Sequence, residues 1–125
     1  MPESRKVVAL ITDLMFIAKM QDGAGRAGFE VLFAKSVDDV IAKGAERPAV
    51  IILDLNATGI DALDAVRRLK SAEQTSGISL LGYVSHVEAD LRRAAQQAGC
   101  DLVIPRSAFS RDLPRLLESY AAPSK

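Results

Sequence analysis

At 125 residues the chain can bury a substantial core but has no room for a second folded unit, so one domain is expected. Apolar residues make up 49%, which argues against disorder, and sixteen basic residues cancel sixteen acidic ones, which disfavours a surface built for nucleic acid or anionic membrane. The single cysteine, Cys100, excludes an internal disulfide, no apolar run approaches the ~18 residues of a membrane span, and MPESRK is not followed by a signal-type apolar region, so a cytoplasmic protein is expected.

In chain order, residues 7–11 (VVALI) form a continuous apolar run, the pattern of a strand covered on both faces. It ends at Thr12 and Asp13. Met15, Phe16, Ile17 and Met20 supply an apolar helical face, and the Gly-rich residues 22–28 are expected to terminate that helix and form a loop. Residues 29–34 (FEVLFA) alternate more and include Glu30, which suits an edge strand. Ser36 with Asp39 reads as an acidic capping box, followed by an inner face of Val40, Ile41 and Ala45, with Pro48 ending the helix.

The central feature is residues 49–53 (AVIIL), a buried-strand run that delivers Asp54 at its end, followed by Leu55, Asn56 and Gly59. A helix striped by Ala62, Leu63, Val66 and Leu69 comes next, with Arg67, Arg68 and Lys70 outward. Residues 71–77 are a polar loop, and residues 78–84 (ISLLGYV) a fourth strand ending at Ser85 and His86. Val87, Leu91, Ala94, Ala95 and Ala98 stripe another helix, with Gly99 placed as its C-terminal cap. A short strand at 102–104 leads to Pro105, Arg106 and Ser107. The last helix carries Leu113, Leu116, Leu117 and Tyr120, has Pro114 in its first turn, and leaves residues 121–125 as a frayed tail.

Five strands alternating with five helices predict an α/β doubly wound sheet, flavodoxin-like, of order 2-1-3-4-5 with helices on both faces. Ligands of such sheets bind at the carboxyl ends of the strands. Asp13, Asp54, Ser85 and Arg106 all fall there. Two carboxylates brought close repel unless a cation lies between them, and oxygen ligands with room for water suit Mg²⁺. A hydroxyl and a guanidinium can hold phosphoryl oxygens, and an aspartate can accept a phosphoryl group as an acyl phosphate.

The segment LDLNATGIDALDAVRRLK, residues 53–70, is similar to the pattern LDLxMPGxDGLxxLRxLR around the phospho-accepting aspartate of response regulator receiver domains. AAQQAGCDLVIPRS, residues 94–107, is similar to their AxxAGAxDYLxKP, and the resemblance spans about residues 6–120. It implies phosphorelay signalling with a histidine kinase or other signalling protein as partner. It places Asp54 on the acceptor, Asp13 and Asp54 with the Asn56 backbone carbonyl around Mg²⁺, and Ser85 and Arg106 near the positions that contact phosphoryl oxygens. Any catalysis would be confined to Mg²⁺-dependent phosphorylation and dephosphorylation of Asp54.

The departures are specific. The first of the usual two adjacent acids is Thr12, the usual lysine is Arg106 with Pro105 before it, the aromatic switch position is Val103, and Thr58 replaces the motif's proline. Asp13, Asp54 and Arg106 sum to one negative charge, where the family pocket holds two, so Mg²⁺ binding is expected to be weak or absent. Arg106 is not a neutral replacement for lysine, because its planar fork pairs differently. It is placed to pair with Asp54 or Asp13 in the metal's stead.

Each residue also has a plainer role open to it. Asp54 can be a turn residue capping the next helix, Asp13 an N-cap, Ser85 half of a capping box with Glu88, and Arg106 part of a surface ion pair. GAGRAG, residues 23–28, matches a dinucleotide fingerprint in letters only, since it closes a helix instead of opening one. His86 is the only histidine and reads as a loop residue, Cys100 as a small buried filler, and the arginine pairs 67/68 and 92/93 as solvated faces. Two functions follow: a phosphorelay receiver, or a phosphorylation-independent pseudo-receiver that acts as a protein interaction module. An enzyme or cofactor binder is disfavoured because no phosphate-cradling loop follows a strand.

Overall fold

A computed structural model describes residues 5–85 and 89–121. Five strands, β1 (Lys6–Leu10), β2 (Glu30–Ala34), β3 (Val50–Asp54), β4 (Ser79–Val84) and β5 (Leu102–Pro105), form one sheet. Its order is β2-β1-β3-β4-β5, with every pairing parallel. The helices are α1 (Leu14–Arg26), α2 (Val37–Gly44), α3 (Ala62–Ser71), α4 (Ala89–Ala98), α5 (Arg106–Arg111) and α6 (Leu113–Ala121). The expected doubly wound order is therefore present, with the alternating run around Glu30 on an edge.

Alternation along the strands divides the core into two layers. Val8, Leu10, Ile51, Leu53, Leu80 and Val103 face one layer with α2, α3 and α4. Val7, Ala9, Val50, Ile52, Leu81 and Tyr83 face the other, with Phe16, Phe109 and Leu117 from α1, α5 and α6. Because β1 and β3 lie inside the sheet and are covered on both faces, their interior residues are all apolar, and polar residues fall only at the strand ends. That rule places Asp54 at the tip of β3 and Asp13 just beyond β1.

Several local expectations need correction. The Gly-rich segment is helical to Arg26, and only Gly28, at φ +84°, takes the left-handed conformation that turns the chain toward β2. Gly23 is retained inside α1 by packing, since a Cβ there would lie 2.8 Å from the Leu113 side chain of α6. Met15 belongs to no apolar face. It and Leu14 are exposed at the start of α1, and the buried stripe is Phe16, Met20 and Ala24. Ala45 is an exposed cap of α2, and the inner position falls to Gly44.

The last helical segment is in two pieces. Pro114 lacks the N–H that would bond the Ser110 carbonyl, so the helix ending at Arg111 restarts at Leu113 with Pro114 in its first turn. Asp61 caps α3 by accepting from the Asp64 N–H at 3.0 Å, so Asp54 is not the cap of that helix. His86, Val87 and Glu88, and with Glu88 the capping-box expectation for Ser85, lie outside the described residues, as do residues 122–125.

Candidate active site

Asp54 is the last residue of the central strand and pairs in register with Tyr83 of β4. It is only 5% exposed. Its Oδ1 accepts the Asn56 N–H at 2.9 Å, a tight side-chain turn that fixes the carboxylate to its own loop. Burial pushes its pKa above the ordinary value of 3.8, because the ionised form loses hydration. The Asn56 N–H and the Arg106 charge oppose that shift, and Asp13 adds to it slightly.

Asp13 has the opposite surroundings. Its Oδ1 accepts the N–H groups of Met15 and Phe16 at 3.0 and 3.2 Å, which makes it the N-cap of α1. Its Oδ2 takes an ion pair from Arg106 at 2.9 Å. The Phe16 N–H and the guanidinium hold its pKa below 3.8. The capping role and the pocket role therefore coexist on two oxygens of one carboxylate.

Arg106, at the first position after β5, is anchored twice. Its guanidinium pairs with Asp13 and also lies 4.3 Å from the centre of the Phe16 ring. Among the described residues its hydrogen bond goes to Asp13, and it reaches Asp54 only through its field. Across the pocket, the Asn56 Oδ1 accepts the Ser85 N–H at 2.7 Å and ties the loop after β3 to the end of β4. Ser85 and Thr12 are exposed. A pocket of about 400 Å³ brings Thr12, Asp13, Asp54, Thr58, Ser85 and Arg106 together.

Sequence reasoning missed the support beneath this pocket. Tyr83 and Phe109 stack with ring centres 5.1 Å apart, and Phe16 packs against both at 5.2 and 5.9 Å. Among the described residues the fully buried Tyr83 hydroxyl has no hydrogen-bond partner, and its pKa is raised by burial and by the nearby Asp54 charge. The available signal was strand alternation: Tyr83 lies two residues before Ser85, so it points into the layer shared by α1 and α5.

The donor set does not fit a divalent ion as it stands. Mg²⁺ takes about six oxygens at about 2.1 Å. Several of those are usually water, so the two carboxylates of the pocket, Asp13 and Asp54, suffice in number, but Arg106 already offsets one of their charges. Asp13 already serves three donors, and Thr12 brings no charge where a second acid would help. The arrangement instead offers a nearly buried carboxylate, a neighbouring guanidinium and three hydroxyl-bearing side chains around one small pocket.

No family model matches the chain, and no curated protein matches it. Solved structures do. The chemotaxis response regulator CheY4 of Vibrio cholerae superposes with a TM-score of 0.80 at 19% identity, over 94% of this chain and 98% of that one. The receiver domain of a Pseudomonas aeruginosa sensor histidine kinase, which has Mg²⁺ in its active-site cleft, gives 0.82 at 13% identity over the same shares. The Mn²⁺-bound response regulator Rcp1 gives 0.77 at 13% identity, over 97% of each chain. With the sheet order, the strand-end pocket and these superpositions in agreement, the chain has the fold of a response regulator receiver domain.

Proposed function

We propose that the protein is a receiver-type module of phosphorelay signalling, with Asp54 as its phospho-acceptor and an incomplete acidic pocket around it. The observation that carries this reading is the placement of Asp54: a carboxylate at the tip of the central strand, open to a pocket that also holds Arg106, Thr12, Thr58 and Ser85. The Asn56 N–H holds Oδ1, which leaves Oδ2 as the nucleophile. Attack on the phosphorus of a partner's phosphohistidine forms the Oδ2–P bond as the P–N bond breaks. The electron pair leaves with the imidazole nitrogen, which takes up a proton. The new phosphoryl charge then competes with Asp13 for Arg106, the nearest cation, and moving Arg106 off Phe16 alters the face formed by α1 and α5. Histidine kinases or other signalling proteins are the proposed partners, and the balanced net charge speaks against nucleic acid or membrane.

A second reading has its own observation. Arg106 is spent on Asp13 and Asp54 is almost closed to solvent, the arrangement expected of a pseudo-receiver that binds a partner without phosphorylation. One experiment separates the two. The protein is incubated with Mg²⁺ and a small phosphodonor, and its intact mass is measured beside Asp54→Ala. A gain of about 80 Da, one phosphoryl group, in the wild type alone supports the first reading. No gain under forcing conditions excludes it and leaves the interaction module.

A further inference from the structure

We propose that Arg106 is a built-in cation that takes the place of a divalent ion, so that the Asp13–Asp54 pocket admits Mg²⁺ only when the Arg106 charge is removed. This rests on the reading of Asp54 and its neighbours as a receiver-type pocket, and it says what sets that pocket's charge.

Three observations carry it. First, the guanidinium is held from two sides, by the Asp13 Oδ2 at 2.9 Å and by the Phe16 ring at 4.3 Å. Phe16 is backed by Tyr83 and Phe109, so the guanidinium rests on a packed wall. A lysine ammonium has no planar fork to lay on that ring. Second, Asp13 already accepts two backbone N–H groups on Oδ1 and the guanidinium on Oδ2, so a metal bound at Oδ2 would have to share that oxygen with a fixed positive charge. Third, the formal charge of Asp13, Asp54 and Arg106 is minus one. A divalent ion added to that set leaves an excess of positive charge in a pocket whose acceptor is nearly buried. Without Arg106 the two carboxylates would face each other uncompensated, and an added Mg²⁺ would neutralise them. The sequence change of Thr12 for an acid and the Arg106–Asp13 pair are thus two halves of one arrangement: an acid is missing where a cation is already supplied.

The test is a Mg²⁺ titration followed by amide chemical shifts, with NaCl at matched ionic strength as the control. Wild type should show no saturable shift around Asp13, Asp54 and Asn56 at millimolar Mg²⁺. Arg106→Gln should bind Mg²⁺ at least about tenfold more tightly, since a unit charge a few ångströms from the ion is removed. Adding Thr12→Asp to that variant should tighten binding again, and adding Asp54→Asn should abolish it. Arg106→Lys, which keeps the charge but loses the seat on Phe16, should gain less Mg²⁺ affinity than Arg106→Gln. Should Arg106→Gln not fold, Arg106→Met keeps an aliphatic stem against Phe16 and asks the same question. Sub-millimolar Mg²⁺ binding by wild type overturns the proposal, and so does a failure of the charge-removing variants to gain binding. The outcome is independent of the mass measurement: Asp54 can fail to take a phosphoryl group while Arg106→Gln gains Mg²⁺, which would defeat the phosphorelay reading and leave this inference standing.

Discussion

The tips of β1 and β3 each carry an aspartate facing one pocket, and the two are treated differently. At β1, Asp13 is half-exposed, caps a helix with one oxygen, pairs with Arg106 through the other, and titrates below its ordinary value. At β3, Asp54 is buried with one backbone hydrogen bond, and titrates above it. The difference comes from where the chain emerges. β1 ends at Leu10 and the chain continues through Ile11 and Thr12 before Asp13, which lifts that carboxylate to the rim, whereas Asp54 is still within the ladder beside Tyr83. A rim carboxylate can recruit hydrogen bonds cheaply. A carboxylate in the sheet must be compensated by whatever the neighbouring loops supply, and here the nearest cation has been taken by its neighbour.

The largest expected effect is on the wall beneath the rim. Phe109→Ala removes a fully buried ring that stacks on Tyr83 and backs Phe16, and it should cost ~3–5 kcal/mol in urea denaturation. If the comparison holds, this variant also loosens the seat of Arg106 while leaving the Asp54–Asn56 turn intact. A cost below ~1 kcal/mol would mean that the aromatic cluster does not support the pocket.

A smaller effect of opposite sign is expected at β3. A carboxyl whose pKa is raised in the folded state prefers its neutral form there. Ionised Asp54 therefore penalises folding at pH above that raised value, and the penalty disappears as pH falls through it. Asp54→Asn should raise the urea midpoint of unfolding at neutral pH, with the gain shrinking toward acid. A destabilising Asp54→Asn at neutral pH would show that the Asp54 carboxylate is as well compensated as that of Asp13.

Most of the fold was legible in the sequence because parallel sheets impose a simple code. Residues 7–11 and 49–53 are apolar without interruption because both faces are covered, and Glu30 marks the edge strand for the opposite reason. The sharing of one sheet edge by Asp13, Asp54, Ser85 and Arg106 followed from the same code. What was not legible depends on side-chain direction across long sequence separations. Arg106 is 93 residues from Asp13, and nothing in the local pattern distinguishes Asp13 from Asp54 as its partner. The ring of Phe16 under the guanidinium was visible only as one apolar residue in a helical stripe. Glycines in residues 22–28 suggested a loop because propensity weighs against them, yet close packing of α1 on α6 makes Gly23 a helical residue.

The contrast between the two carboxylates can be read in one experiment, a pH titration of side-chain carboxyl carbons by NMR. Asp13 should titrate below the ordinary aspartate value of 3.8 and Asp54 above it, and Arg106→Gln should move Asp13 upward. Coincident titrations, or Asp54 titrating below Asp13, would contradict that contrast.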